Sequence, residues 1–102
     1  MYTLKEIETN GLHYLELASF NEKSKAKICL NQGGRLSSFS FENTQILEDF
    51  DSSSYRDNYA SAILFPFANR IKDGKYTFKD YKYKLDCNET HKINALHGLV
   101  YN

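Results

Sequence analysis

Hydrophobic period constrains this chain more than any other feature. Apolar residues recur at every second position in stretch after stretch, and almost nowhere at the i, i+3, i+4, i+7 spacing of an amphipathic helix. Side chains of an extended strand point alternately to opposite faces, so this pattern predicts an all-β chain of antiparallel hairpins. Residues 4–18 form a first hairpin split by Asn10-Gly11, a pair with easy access to positive φ, and beyond the turn His13, Leu15 and Leu17 share a face. Next, Ala26, Ile28 and Leu30 face one way, with Lys25 and Lys27 opposite. A turn through Asn31-Gln32-Gly33-Gly34 leads into residues 36–41, where Phe39 and Phe41 oppose Ser38 and Ser40.

Residues 48–58 are polar and acidic around Ser52-Ser53-Ser54, which predicts a loop with room for one helical turn and little to add to a core. The continuous apolar run of residues 61–65 has the length of a buried strand, ended by Pro66. A further hairpin alternates Tyr76 and Phe78 before a Lys79-Asp80 turn, and Tyr81, Tyr83 and Leu85 after it; one face is expected in the core, with Lys82 and Lys84 in water. A polar loop over residues 86–94 precedes a last strand, residues 95–101, that stops at Asn102 without turn or cap. Such an ending suggests a fragment whose exposed strand edges promote self-association.

At 102 residues the chain fits one domain, residues 1–102. Thirteen basic residues balance thirteen acidic ones, so no net field draws nucleic acid or an anionic membrane surface. The N-terminus is polar and no apolar run approaches the ~18 residues that span a bilayer, which makes a cytoplasmic protein the default expectation. Cys29 and Cys87 are far apart and expected to stay reduced. Cys87, His91 and His97 lack a fourth ligand and fit no zinc spacing, so no metal site is expected.

Two stretches carry candidate chemistry. Asn69 and Arg70 follow an apolar run directly, where a rigid element could aim the arginine's fork of donors at two ligand oxygens; equally, Arg70 could pair with a neighbouring carboxylate such as Asp73. His97, between Leu96 and Gly98, is either a core histidine satisfied by one backbone bond or an imidazole facing a pocket. Gly98 would admit a ligand or another strand closely. His13 and His91 read as structural or solvated. The tyrosine-rich hairpin could stack single-stranded nucleic acid, but alternation puts Lys82 and Lys84 opposite Tyr81 and Tyr83. The chain contains no nucleophile elbow, phosphate-cradling glycine loop or HExxH helix.

The run Leu64-Phe65-Pro66-Phe67-Ala68-Asn69-Arg70-Ile71-Lys72-Asp73-Gly74-Lys75-Tyr76-Thr77-Phe78, followed by Asn94-Ala95-Leu96-His97-Gly98, strongly resembles the aldose 1-epimerase (galactose mutarotase) family. Gly33-Gly34-Arg35-Leu36 is similar to an earlier glycine turn of that family, while Leu99 stands where a glycine often follows the HG pair. The resemblance implies the N-terminal part of a β-sandwich with an open sugar cleft, Asn69, Arg70 and His97 as substrate contacts, and a free aldose of the glucose or galactose class as substrate. It also implies an isomerase that interconverts α and β anomers without metal or organic cofactor. The general acid and base of that family belong to regions beyond Asn102, so no catalytic residue is expected in this chain. A non-catalytic carbohydrate-binding module of the same fold is the alternative; an all-β interaction module unrelated to sugars requires that Asn69, Arg70 and His97 fail to converge.

Overall fold

The computed structural model describes residues 1–48, 54–89 and 91–101. The middle of the expected 48–58 loop, the end of the chain at Asn102 and Thr90 lie outside the described residues. Two compact units emerge, Met1–Ile63 with Tyr101–Asn102, and Leu64–Val100.

In the first unit five strands follow one another in a single antiparallel sheet: β1 (Tyr2–Thr9), β2 (Leu12–Ser19), β3 (Lys25–Cys29), β4 (Arg35–Phe41) and β5 (Thr44–Leu47). Thr9 pairs with Leu12, leaving Asn10 and Gly11 as a two-residue turn at φ 52° and 75°, whose twist suits a hairpin. A second such turn, Glu42-Asn43 at φ 47° and 62°, starts β5, a strand that the reading of residues 36–41 did not extend to. A short 3₁₀ turn, Leu30–Gln32, closes on the left-handed Gly33 and leads into β4.

Leucine alternation marks the half-buried face of this sheet, and the deeper face is the other one. Register aligns Tyr14 with Cys29 and Cys29 with Arg35, and all three are buried, as are Ala18 and Ser37. Arg35, only 1% exposed, lies with its guanidinium 4.5 Å from the ring centroid of Tyr55, and its Nε donates to Gln32 Oε1 at 2.6 Å. Such burial is tolerable for a guanidinium because its flat face stacks on an aromatic ring while its edge donates. Tyr55 belongs to α1 (Tyr55–Asn58) and is itself buried; its hydroxyl donates to the Tyr101 carbonyl at 2.9 Å, and burial pushes its pKa up. The segment expected to add little to a core therefore supplies the ring that covers it. Polarity of the surrounding loop concealed this, since one aromatic suffices to cap a buried arginine.

The second unit holds two antiparallel pairs, β6 (Arg70–Lys72) with β9 (Asn94–Leu96) and β7 (Lys75–Phe78) with β8 (Tyr81–Lys84). Lys79 and Asp80, at φ 46° and 64°, make the expected two-residue turn of the second pair. Tyr76 and Tyr83 stack across it with centroids 5.0 Å apart, yet each is 42% exposed, so this face is not part of the core as the alternation suggested. Alternation reports which residues share a face, and covering that face takes a second layer.

Two strand expectations are corrected. Residues 61–65 form no strand: Ser61 is left-handed (φ 58°), the Ala62 amide turns back to the Tyr59 carbonyl at 3.0 Å, and Phe65 remains 63% exposed. The last strand is Asn94–Leu96 rather than residues 95–101, because His97 and Gly98 turn left-handed at φ 63° and 81°. Gly98 earns its close-approach reading: a Cβ there would lie 2.2 Å from the Phe65 carbonyl oxygen, which accepts from the Leu99 amide at 2.7 Å. Both cysteines are free, Cys29 buried and Cys87 half-buried. Among the described residues no helix is long and apolar enough to cross a membrane.

Gly11 and Gly98 both have positive φ, but only Gly98 is crowded. Gly11→Ala is expected to cost about 1–2 kcal/mol for the left-handed conformation alone, and Gly98→Ala a further ~1–3 kcal/mol for the overlap. Native-state hydrogen exchange checks this, read at β1 and β2 for Gly11→Ala and at β6 and β9 for Gly98→Ala. Equal loss of protection for the two variants would contradict it.

Candidate functional site

Strands β6 and β9 pair with Arg70 opposite Leu96, Ile71 opposite Ala95 and Lys72 opposite Asn94. This register brings Asn69 and His97 together across 28 residues of sequence. The His97 amide donates to the Asn69 carbonyl at 3.0 Å, and the Asn69 amide donates in turn to Nδ1 of the His97 ring at 3.2 Å. Both residues are left-handed, φ 64° and 63°, a conformation in which asparagine and histidine are enriched among non-glycine residues. Because Nδ1 accepts, the neutral ring carries its proton on Nε2, which makes that nitrogen a donor.

Arg70 is exposed and held sideways. Its Nε donates to both carboxylate oxygens of Glu89 at 2.9 and 2.8 Å, Nη2 donates to Oε1 at 2.6 Å, and Nη1 reaches the side-chain oxygen of Asn69 at 3.4 Å. Glu89 is held in turn by buried Asn94, whose Nδ2 donates to Oε2 at 2.7 Å. The backbones of Glu89 and Asn94 bond each other both ways, at 3.1 and 3.4 Å, closing the loop between them. Asn88 occupies the outer edge of β9: its Oδ1 accepts from the Leu96 amide at 2.7 Å and its Nδ2 donates to the Leu96 carbonyl at 2.9 Å, as a neighbouring strand would.

Asn69, Arg70 and His97 thus come together, and the carboxylate on Arg70 is Glu89 where the spacing had offered Asp73. Asp73 sits in the turn after β6 at φ 55°, its amide bonded to the Ile93 carbonyl. Sequence reasoning missed Glu89, Asn88 and Asn94; the available signal was a run of asparagines and a carboxylate just before the HG pair, which becomes informative only once β9 is known to pair with β6. His13 is exposed and 3.6 Å from Glu8, and His91 is exposed, as expected of solvated histidines.

The Arg70 and Asn94 hydrogen bonds, with a smaller through-space contribution from Lys92, hold the Glu89 carboxyl down at about 2, from an ordinary 4.5. The same contact raises Arg70. A carboxylate so stabilised is a poor proton acceptor near neutrality. Arginine, asparagine and histidine here are suited to donating hydrogen bonds to oxygens.

This arrangement sits on a fold shared with solved structures. A galactose mutarotase-like protein from Clostridium acetobutylicum superposes with a TM-score of 0.70 over 99% of this chain and 32% of its own, at 23% identity. The chain therefore spans about a third of that relative's length and has a galactose mutarotase-like, all-β fold. Residues 15–102 match the aldose 1-epimerase family, and the chain belongs to that family.

The lowered Glu89 value carries a stability consequence with a definite sign. A carboxyl depressed in the folded state stabilises the fold above its unfolded value, near 4.5, and that contribution is lost as pH falls toward about 2. Carboxyl ¹³C NMR is expected to show Glu89 titrating near 2 in this chain, and Arg70→Ala to return it toward the usual ~4.3. A wild-type midpoint at an ordinary carboxylate value would remove the pairing.

Proposed function

We propose that this chain supplies the sugar-holding part of a cytoplasmic aldose 1-epimerase, an isomerase acting on a free aldose of the glucose or galactose class. Family membership supports the activity, and the reciprocal bonding of Asn69 and His97 beside Arg70 is the observation that carries the site. In the reaction a base removes the C1 hydroxyl proton while an acid protonates the ring oxygen; the ring opens, C1 rotates, and closure delivers the other anomer. Arg70, Asn69 and the His97 Nε2 proton hold sugar oxygens in reactive geometry. Acid and base are assigned, as resemblance to the family implies, to sequence outside this chain, and Glu89, held low by Arg70 and Asn94, is given neither role.

Polarimetry tests this reading. Freshly dissolved α-D-galactose with the isolated chain is expected to mutarotate at the uncatalysed rate. In an active epimerase carrying this chain, Arg70→Lys is expected to lower kcat/KM by ~10- to 100-fold, the scale of a misplaced substrate, because a point donor cannot replace a planar fork. Unchanged turnover at subsaturating sugar would reduce Arg70 to a partner of Glu89. Should the complete protein hold sugar without turning it over, the chain is instead part of a carbohydrate-binding module.

On its own the chain is also proposed to self-associate. Among the described residues β1 and β5 are the edges of the five-stranded sheet, and they present Leu4 and Ile46, both largely exposed. Light scattering across a concentration series is expected to show a rising mean mass, against which a constant monomer mass would decide.

A further inference from the structure

The sideways grip of Glu89 on Arg70 bears on which sugars the site accepts. A guanidinium has five N–H donors in one plane. In this geometry Nε and Nη2 face Glu89 and Nη1 reaches Asn69, so the Nε side, one of the edges on which a guanidinium binds an oxyanion with two parallel bonds, is already taken by a carboxylate. What is left for a ligand is the end of the fork, with one N–H on each Nη. That end can donate in parallel to two oxygens, neutral or anionic, so the neighbouring charge decides between them.

Geometry places the deciding charge beside that end. The Arg70–Glu89 contact is a closed ion pair whose acid stays ionised across the neutral range. Any phosphate or carboxylate reaching the fork comes within a few ångströms of Glu89, and like charges at such range oppose one another. A neutral hydroxyl meets no such opposition. Asn94 keeps the carboxylate in place, since its amide holds Oε2 and its backbone bridges to that of Glu89. Lys92 acts on Glu89 through space and contributes less than either hydrogen-bonding partner.

We infer that Glu89, fixed by Asn94, is a specificity-determining residue that makes the Arg70 site select neutral sugars and reject sugar phosphates and sugar acids. The inference rests on the sugar-site reading above for its ligand, and on the Arg70–Glu89–Asn94 geometry for its direction.

The test follows the Arg70 Nε–Hε signal by ¹H–¹⁵N NMR in the full chain, titrated separately with D-galactose and with inorganic phosphate. Wild type is expected to respond to D-galactose and not to phosphate. Glu89→Gln keeps size and one acceptor oxygen but removes the charge; it is expected to gain about tenfold or more in phosphate affinity, the low end of what one adjacent charge changes, with weaker D-galactose binding. Retained amide protection at Ile71 and Ala95 shows that the variant is folded, and Glu89→Asp, which restores the charge, is expected to restore rejection of phosphate. Equal phosphate responses in wild type and Glu89→Gln overturn the inference. If D-galactose moves nothing while phosphate rejection still depends on Glu89, the sugar-site reading fails and the charge role of Glu89 stands.

Discussion

The pair of hydrogen bonds between Asn69 and His97 is the constraint on which the site depends. Strands β6 and β9 share only the pairs Arg70–Leu96, Ile71–Ala95 and Lys72–Asn94, too short a ladder to hold register by itself. Asn69 and His97 lock its end, and the imidazole acts there as a backbone acceptor would. Asn88 closes the outer edge of β9 by presenting one acceptor and one donor to Leu96, while Glu89 and Asn94 bridge the loop that precedes it. Side-chain amides thus bond the strand's backbone as a neighbouring strand would. This explains why a polar, asparagine-rich segment adjoins a buried strand.

Two arginines show two ways of keeping a guanidinium. Arg35 is buried, with its face on Tyr55 and its Nε on a neutral glutamine oxygen, a setting that conceals the cation and gives the sheet a dense polar centre. Arg70 is exposed, and a carboxylate takes its side edge. Stacking alone leaves a guanidinium's orientation about the ring loosely defined, whereas a two-point carboxylate contact defines its plane and points its remaining donors outward. The first arrangement serves packing and the second presentation.

Much of the fold was legible because two-residue turns advertise themselves. Asn10-Gly11 and Lys79-Asp80 lie where the alternation reverses, and both hairpins form there. Residues 61–65 misled because hydrophobicity records what a segment could bury, while a strand also needs a ladder of partners; Ser61 bends away and the Phe65 carbonyl bonds the Leu99 amide outside any strand. His97 and Gly98 likewise stop β9 through backbone conformation, which an apolar pattern does not encode. Of the site, Asn69, Arg70 and His97 were recognisable through motif resemblance. Glu89 was not, because its role arises from a pairing between segments that no local spacing reveals.

Pairing with Arg70 also decides what Glu89 can do chemically. With its carboxyl held at about 2, its ionisation is complete well below neutrality, and both the ion pair and the orientation it imposes stay constant from mildly acidic to alkaline conditions. A general base needs the opposite, a pKa close enough to working pH to take a proton and release it again. Glu89 is therefore suited to orienting and unsuited to proton transfer, even though it is the carboxylate that touches Arg70. Near neutrality the pair is a fixed element of the candidate site, and any proton movement there has to come from other groups.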